Sequence, residues 1–204
     1  MTNGLFTIGH SNHEWVPFIA LLWKHEVRVL ADVRSKPISM WHPHFSQPEI
    51  ETGLRDAGIR YLFLGEELGG RPDDPKAYRA DGLVDYRARR KSFAFQQGIE
   101  RVLLEMERES LALMCAEEDP LDCHRFLMIC PGLVAAGVQP VHIRGDGELE
   151  SQVAAEDRLL EATRMGAAAS GALFAMDRAA ALEDAYLVQA ERRAFRADPQ
   201  TVHY

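Results

Sequence analysis

The chain has 204 residues, 47% of them hydrophobic and 26% charged, which is ordinary globular usage and excludes generic disorder or a low-complexity architecture. A formal net charge of −8 argues against a broad nonspecific duplex-binding surface, because such surfaces neutralise many phosphates with Lys and Arg, yet it leaves room for a local anion pocket. No secretory leader pattern opens the chain and no run approaches about eighteen uninterrupted apolar residues, so a cytoplasmic protein without membrane contact is expected, and Cys115, Cys123 and Cys130 read as free thiols rather than a secreted disulfide framework.

Leu5 to Ile8 is a short apolar, β-favouring run ending at Gly9, and Trp15, Phe18, Ile19 and Leu22 then recur at helical spacing. Ser11 and Glu14 stand at capping-box spacing, which predicts a helix start near residue 12. Val27 to Val33 is a second strand. Ser46-Gln47-Pro48-Glu49, again at capping-box spacing, opens a helix carrying Ile50 and Leu54. Tyr61 to Leu64 makes a third strand, Phe95, Ile99, Val102, Leu103 and Met106 one face of a longer helix, Leu111 to Cys115 a fourth strand, and Pro140 to Ile143 a fifth.

Residues 66–85 lack a clear period and hold Gly69-Gly70-Arg71-Pro72, Pro75 and Asp81-Gly82, the pattern of a long loop able to cover a site. Residues 71–91 are locally cationic, with Arg71, Lys76, Arg79, Arg87, Arg89, Arg90 and Lys91 against Asp73, Asp74, Asp81 and Asp85. From about residue 149 the chain reads as helical, through Leu149, Val153, Leu160, Leu182, Tyr186 and Phe195, with a break at Gly166 to Gly171.

Nearly continuous apolar strands alternating with helices are what a parallel sheet covered on both faces requires. The expected fold is therefore α/β, a three-layer αβα sandwich with a mainly parallel sheet of about five strands, plus C-terminal helices. The domain division is an α/β unit over 1–145 and a helical extension over 146–204, packed on that unit or on a partner. Strand order stays open, because several doubly wound orders satisfy the alternation.

Ligands of open α/β sheets gather outside the carboxyl ends of strands, which singles out three clusters. They are His10-Ser11-Asn12, Asp32-Val33-Arg34-Ser35, and Cys115-Ala116-Glu117 leading to Cys123-His124-Arg125. Asp32 and Arg34 read either as a base with an anion clamp or as a structural ion pair. His10 reads as an acid or base or as a hydrogen-bonded histidine at a helix start, and Ser11 most simply as a cap. Asp119 as N-cap and Pro120 at the first helical position would put Cys123 and His124 in the first turns of a helix, where adjacent side chains point apart. Cys123 then reads as a nucleophile or redox thiol, or as a buried structural thiol; Cys115 carries the same pair of readings, and Cys130 is core. His10, Cys115, Cys123 and His124 are competent zinc or iron ligands, but without a CxxC or HExxH spacing no metal is predicted. GxxxxGK[ST] and GxGxxG are absent, so no nucleotide cofactor is expected either.

Thr7-Ile8-Gly9-His10-Ser11, Asp32-Val33-Arg34-Ser35, Leu68-Gly69-Gly70 and Cys115-Ala-Glu to Cys123-His124-Arg125 together resemble the domain-of-unknown-function family 488, over about residues 5–143. Pro37, Ser39, Phe45, Tyr61 and His142-Ile143 fit the same pattern. The resemblance implies an α/β fold and groups these motifs into one site, but carries no settled activity.

The expectation for function is a hydrolase or group transferase acting on an anionic, nucleotide-like or nucleic-acid-derived substrate. His10, Asp32, Cys115, Glu117 and Cys123 are its candidate catalytic groups. Ser11, Arg34, Ser35, Gly69, Gly70, His124 and Arg125 are its candidate binding groups, Arg34 and Arg125 as anion clamps, with the loop carrying Tyr78 as a cover. The alternatives are a ligand sensor or nucleic-acid-associated protein using the 87–91 basic segment, and a metal or thiol redox protein. The C-terminal helices are the candidate homo-oligomer surface.

Overall fold

The structure, a computed structural model, describes residues 4–165 and 177–197, so the break expected at Gly166 to Gly171 lies outside the described residues. Strands β1 (Leu5–Gly9), β2 (Val29–Asp32), β3 (Arg60–Phe63), β4 (Leu111–Cys115) and β5 (Val141–Ile143) form from the apolar runs. All pair in parallel, in the order β3-β2-β4-β1-β5. A sixth strand, β6 (Leu149–Ser151), adds antiparallel to β5 at the edge.

That sixth strand occupies residues expected to be helical. Asp146-Gly147 turns the chain, with Gly147 at φ +82° and the Arg144 N–H donating to the Glu148 carbonyl at 2.9 Å. Asp-Gly is a hairpin signal because the left-handed backbone suits glycine. Glu150 then meets Arg144 and Arg158, the strongest reason for the chain to stay extended for one more pair.

The period-2 alternation of the strands divides the core into two layers. Ile8, Leu30, Ala112, Met114 and Ile143 point to one face, where α1 (Trp15–Lys24) and α2 (Gln47–Asp56) cover them with Phe18, Ile19, Leu22, Ile50 and Leu54. Val29, Ala31, Val33, Leu111, Leu113 and Cys115 point to the other. There they meet, after α3 (Gly65–Leu68) and α4 (Tyr86–Arg90), the long α5 (Phe93–Met106), a π-helical turn at Arg125–Ile129 running into α6 (Cys130–Ala135), α7 (Gln152–Ala162) and α8 (Arg178–Arg193). Complete burial of a side chain such as Phe18, Leu22 or Phe95 contributes about 1.5–3 kcal/mol.

The segments beyond residue 145 share this second layer. Leu159, Leu160, Ala181, Ala185, Tyr186 and Ala190 belong to the same core cluster as β2 and β4. Gln189 donates to the Leu121 carbonyl at 3.0 Å, and the Tyr186 ring lies 5.3 Å from that of Phe126.

Both expected capping boxes are missing. Helix α1 begins at Trp15 behind Glu14 without a side-chain cap, because Ser11 adopts φ +44° and its amide is already held by the Ala116 carbonyl at 2.9 Å. Ser46 does precede α2, but its hydroxyl accepts from the Ser39 amide at 3.1 Å and so fixes the loop after β2.

The 66–85 stretch is ordered by contacts at both ends. It contains α3, a 3-10 turn at Pro75–Ala77 and a Tyr78–Val84 bridge, and the Val84 amide donates to the Phe195 carbonyl at 3.0 Å. Three of the four cations of the 87–91 segment are engaged within the molecule. Arg87 and Arg90 both reach Glu183, at 2.9 and 2.8 Å, and Arg89 is buried on the carbonyls of Glu66 and Glu67. Among the described residues, no helix is long and apolar enough to cross a membrane.

Candidate functional site

Strand order decides which chain-distant residues become neighbours. β2, β4 and β1 lie side by side at the centre of the sheet, so their carboxyl ends at Asp32, Cys115 and Gly9 open on one spot. Above them sits a pocket of about 450 Å³, lined by His10, Arg34, Ser35, Cys115, Glu117 and His124 among others. Lys36, Ile38, Ser39, Gly70 and Arg71 complete its walls.

At the floor is a cluster of two thiols, an imidazole and a carboxyl, of which Cys115, Glu117 and His124 line the pocket and Cys123 lies behind them. Cys115 Sγ donates to Glu117 Oε2 at 3.0 Å and lies 3.4 Å from His124 Nδ1, while Cys123 Sγ is 3.9 Å from the same nitrogen. Cys123 and His124 serve one centre because Cys123 is not in a helix turn as expected. Asp119 and Pro120 cap only a 3-10 turn over Pro120–Asp122, after which Cys123 is extended at φ −125°, ψ 141°. Only at His124 does the backbone turn helical, so the two side chains swing to the same side.

The imidazole is oriented from behind. Its Nε2–H donates to the Val33 carbonyl at 2.9 Å, which leaves Nδ1 facing the sulfurs. Burial alone would lower the His124 pKa, but the Cys123 sulfur and the Glu117 carboxylate outweigh it and raise the value. Burial and the neighbouring Cys123 hold Cys115 as a thiol. Burial also works against ionisation of Cys123, but the Cys115 thiol, the Arg125 cation and His124 override it and bring its pKa well down. The backbone amide of Arg125 donates to that sulfur at 3.4 Å. Glu117 is exposed as a residue, yet enclosure of its carboxyl and the adjacent Cys123 raise its pKa.

Both expected anion clamps are occupied by protein groups. Arg125 is fully buried behind the floor, donating to the carbonyls of Glu117 at 2.6 Å and Glu118 at 2.7 Å and to Thr7 Oγ1 at 3.3 Å. It holds the loop after β4 rather than a ligand. Arg34 lines the pocket but is bidentate on Asp32, at 2.9 and 2.6 Å, and also donates to the Phe45 carbonyl.

Asp32 is equally committed. Its carboxylate accepts from the Arg34 amide and side chain and from Tyr61 Oη at 3.0 Å, and it is wholly buried below the pocket wall. No lone-pair direction remains for a substrate proton, so the ion-pair reading fits and the base reading does not. His10 accepts at Nε2 from Arg34 at 3.2 Å and donates through Nδ1 to the Ser11 carbonyl at 2.9 Å. Burial, with help from the Arg34 cation, pushes its pKa down to about 4, so it stands as a neutral wall of the pocket, stacked on Phe45. Ser11 does not line the pocket; it anchors His10 through its carbonyl.

The glycines act by closeness rather than by unusual dihedrals. A Cβ on Gly70 would stand 2.8 Å from His124 Cγ, so only glycine lets this backbone lie against the imidazole. A Cβ on Gly9 would meet the Glu117 carbonyl at 1.8 Å, which keeps the ends of β1 and the post-β4 loop in contact. Gly69 packs on Ser35 and the Gly65 carbonyl just outside the pocket, and Ser35 Oγ accepts from the Arg71 amide at 2.8 Å. Tyr78 is turned away, with its hydroxyl on the Pro72 carbonyl.

Sequence reasoning missed Lys36 and Arg71 as pocket residues. Lys36 makes no ion pair with a described residue, and the Arg71 guanidinium lies over the Phe195 ring at 4.6 Å without a carboxylate partner among the described residues. Each directly follows a residue that was singled out, Ser35 and Gly70, and adjacency was the available signal.

A parallel α/β sheet with a thiol, imidazole and carboxyl floor at its central strand ends, under cationic walls, defines an α/β protein with a polar pocket at the carboxyl end of its sheet. The chain belongs to the family described as domain of unknown function DUF488, which matches residues 14–129, more than half of its length. That span takes in Asp32 to Ser35, Gly69-Gly70 and Cys115 to Arg125, but is narrower than the resemblance read from sequence and leaves out Gly9-His10-Ser11 and His142-Ile143. No curated protein and no solved structure matches the chain.

Proposed function

We propose that the protein is an enzyme, a hydrolase or group transferase, acting on a small anionic, nucleotide-like substrate held in this pocket. The observation that carries the reading is the convergence of Cys115, Glu117 and His124 on a pocket floor, with Cys123 directly behind them, under walls that present Lys36 and Arg71 without a carboxylate partner among the described residues. The cations bind the anionic group, which directs its electrophilic centre at the floor. Glu117 and His124, both with raised pKa, exchange protons with the attacking and leaving groups. Ile38 on the pocket wall is exposed, as are Met40 and Trp41 two and three residues further along the same loop, at 73%, 84% and 86%, and they offer an apolar surface for the flat part of a nucleotide-like ligand.

The test has two stages. Sulfate, inorganic phosphate and nucleoside mono-, di- and triphosphates are screened for a rise in Tm, and those that bind are incubated and followed by phosphorus NMR and chromatography. Anion binding is expected to weaken about tenfold or more in a Lys36→Ala, Arg71→Ala double variant, and Glu117→Gln is expected to keep binding while losing conversion. Binding that is undiminished in the double variant, or conversion that survives Glu117→Gln, overturns the proposal.

A further inference from the structure

We infer that Cys115, Cys123 and His124, with Glu117 on the pocket side, form a binding site for a divalent transition metal of the zinc class. The inference rests on the reading above in taking the same pocket floor as the reactive centre, with His124 and Glu117 acting in the metal-loaded protein as ligands rather than as proton-exchanging groups. Its test needs no turnover.

The four donor atoms lie within 4.8 Å of one another. A tetrahedral zinc with sulfur, nitrogen and oxygen ligands needs donor separations of about 3.2–3.8 Å, given bond lengths of about 2.0–2.3 Å. The separations of 3.0, 3.4 and 3.9 Å from Cys115 Sγ to Glu117, from Cys115 Sγ to His124 and from Cys123 Sγ to His124 bracket that range. The other separations are at most 4.8 Å, so closing the set requires side-chain rotation but no rearrangement of the strand ends.

The surroundings are those of a ligand set. A metal-binding imidazole donates its other N–H to a fixed acceptor, as His124 does to the Val33 carbonyl, and this orients Nδ1 at the sulfurs. A backbone N–H supports Cys123 Sγ, as a thiolate ligand requires. Gly70 closes over the ring so tightly that its orientation has little freedom. Two sulfurs and an imidazole select zinc or iron(II) over magnesium or calcium, which take oxygen ligands.

Charge supplies an independent argument. Arg125 is fully buried beside the cluster, its side chain on two carbonyls and a hydroxyl and its amide on the Cys123 sulfur at 3.4 Å, and no described carboxylate lies within ion-pair distance of it. Two thiolates and a carboxylate around a dication leave one net negative charge, and the buried Arg125 cation stands beside it. On binding, the metal displaces the remaining thiol protons to the buffer.

The experiment begins with elemental analysis of protein purified without chelator and dialysed, for which about one zinc or iron per chain is expected. Apoprotein is then titrated with cobalt(II), which is expected to give intense visible bands and a near-ultraviolet thiolate-to-cobalt band saturating at one equivalent. Cys123→Ser should weaken the thiolate band, and Cys130→Ser, altering a sulfur outside the cluster, should leave it unchanged. Because Cys123→Ser alters a buried position, Glu117→Gln on the accessible side is measured as well, with a shift in the visible bands and affinity weakened about tenfold or more expected. Metal content below about a tenth of an equivalent with no thiolate band overturns the inference, as does a band indifferent to Cys123 and Glu117. Conversion of a ligand by metal-free protein, undiminished by chelator, sinks the metal and leaves the proposed enzyme; one tightly bound metal with no ligand binding does the reverse.

Discussion

Two buried polar groupings lie back to back at the carboxyl ends of the central strands, and they differ in whether their hydrogen-bonding capacity is used up. Behind the pocket, Arg125 donates to Thr7 Oγ1, Thr7 to His142 Nδ1 at 2.8 Å, His142 Nε2 to Gln152 at 3.2 Å, and Gln152 to Tyr186 Oη at 2.9 Å. Each donor in that chain has an acceptor, and its far end ties β1 and β5 to α7 and α8. In front, Cys115, Cys123, His124 and Glu117 crowd their donor atoms together and keep lone pairs directed at one another. Closed networks give a fold its uniqueness and rigidity, whereas a group with capacity left over can act on something else. Burial and charge alone do not separate the two, since Arg125 is as buried as any residue of the floor.

The comparison breaks first at Arg125. Arg125→Met keeps much of the stem volume but strips the Glu117 and Glu118 carbonyls and Thr7 of their donor, and is expected to lower stability by about 3–5 kcal/mol in urea unfolding. A loss below about 1 kcal/mol would mean that water replaces the guanidinium and that the rear network is not closed.

A second and somewhat smaller effect comes from His142. Burial first, and the Arg125 cation second, push its pKa down to about 4. The unfolded imidazole takes up a proton near pH 6.5, whereas the folded one does so only near 4, so acidification through this interval favours the unfolded chain. The His142 contribution lost between pH 8 and pH 4 is about 3 kcal/mol. His142→Gln is expected to flatten the wild-type pH dependence of urea midpoints by about that amount, and parallel curves for the two proteins would contradict it. His10, also near 4, retains its own share of the slope in both proteins.

Sequence made the sheet legible because its three central strands, β1, β2 and β4, are almost wholly apolar and so carry a strong local signal. β6 was legible only through Asp146-Gly147, since Leu149-Glu150-Ser151 alternates too briefly to outweigh the helix that follows it. The strand ends that gather the site could be named, but their meeting depends on the order β2-β4-β1, which no local pattern encodes. The same limit explains Arg125 and Asp32. Residue type and position marked them as functional, whereas their tertiary partners, Thr7 and Tyr61, lie 118 and 29 residues away. For Cys123 the error was local: Asp119-Pro120 reads as a helix start, but the chain makes a single 3-10 turn and extends before His124.

The smallest expected effect sharpens the contrast from the other side. Cys115 is buried and packs in the second core layer, so Cys115→Ala removes one sulfur's worth of contact and leaves a cavity smaller than a methylene pair. That change costs about 1 kcal/mol. It strands no main-chain group, because the hydrogen bonds of the Cys115 sulfur run to Glu117 and His124, and Glu117 can turn to water. Urea unfolding should therefore place Cys115→Ala within about 1 kcal/mol of wild type, while thiol titration or cobalt binding registers the loss of the sulfur in full. A destabilisation of the size expected for Arg125→Met would show that the floor is as closed as the network behind it, and the division between a structural and a reactive grouping would collapse.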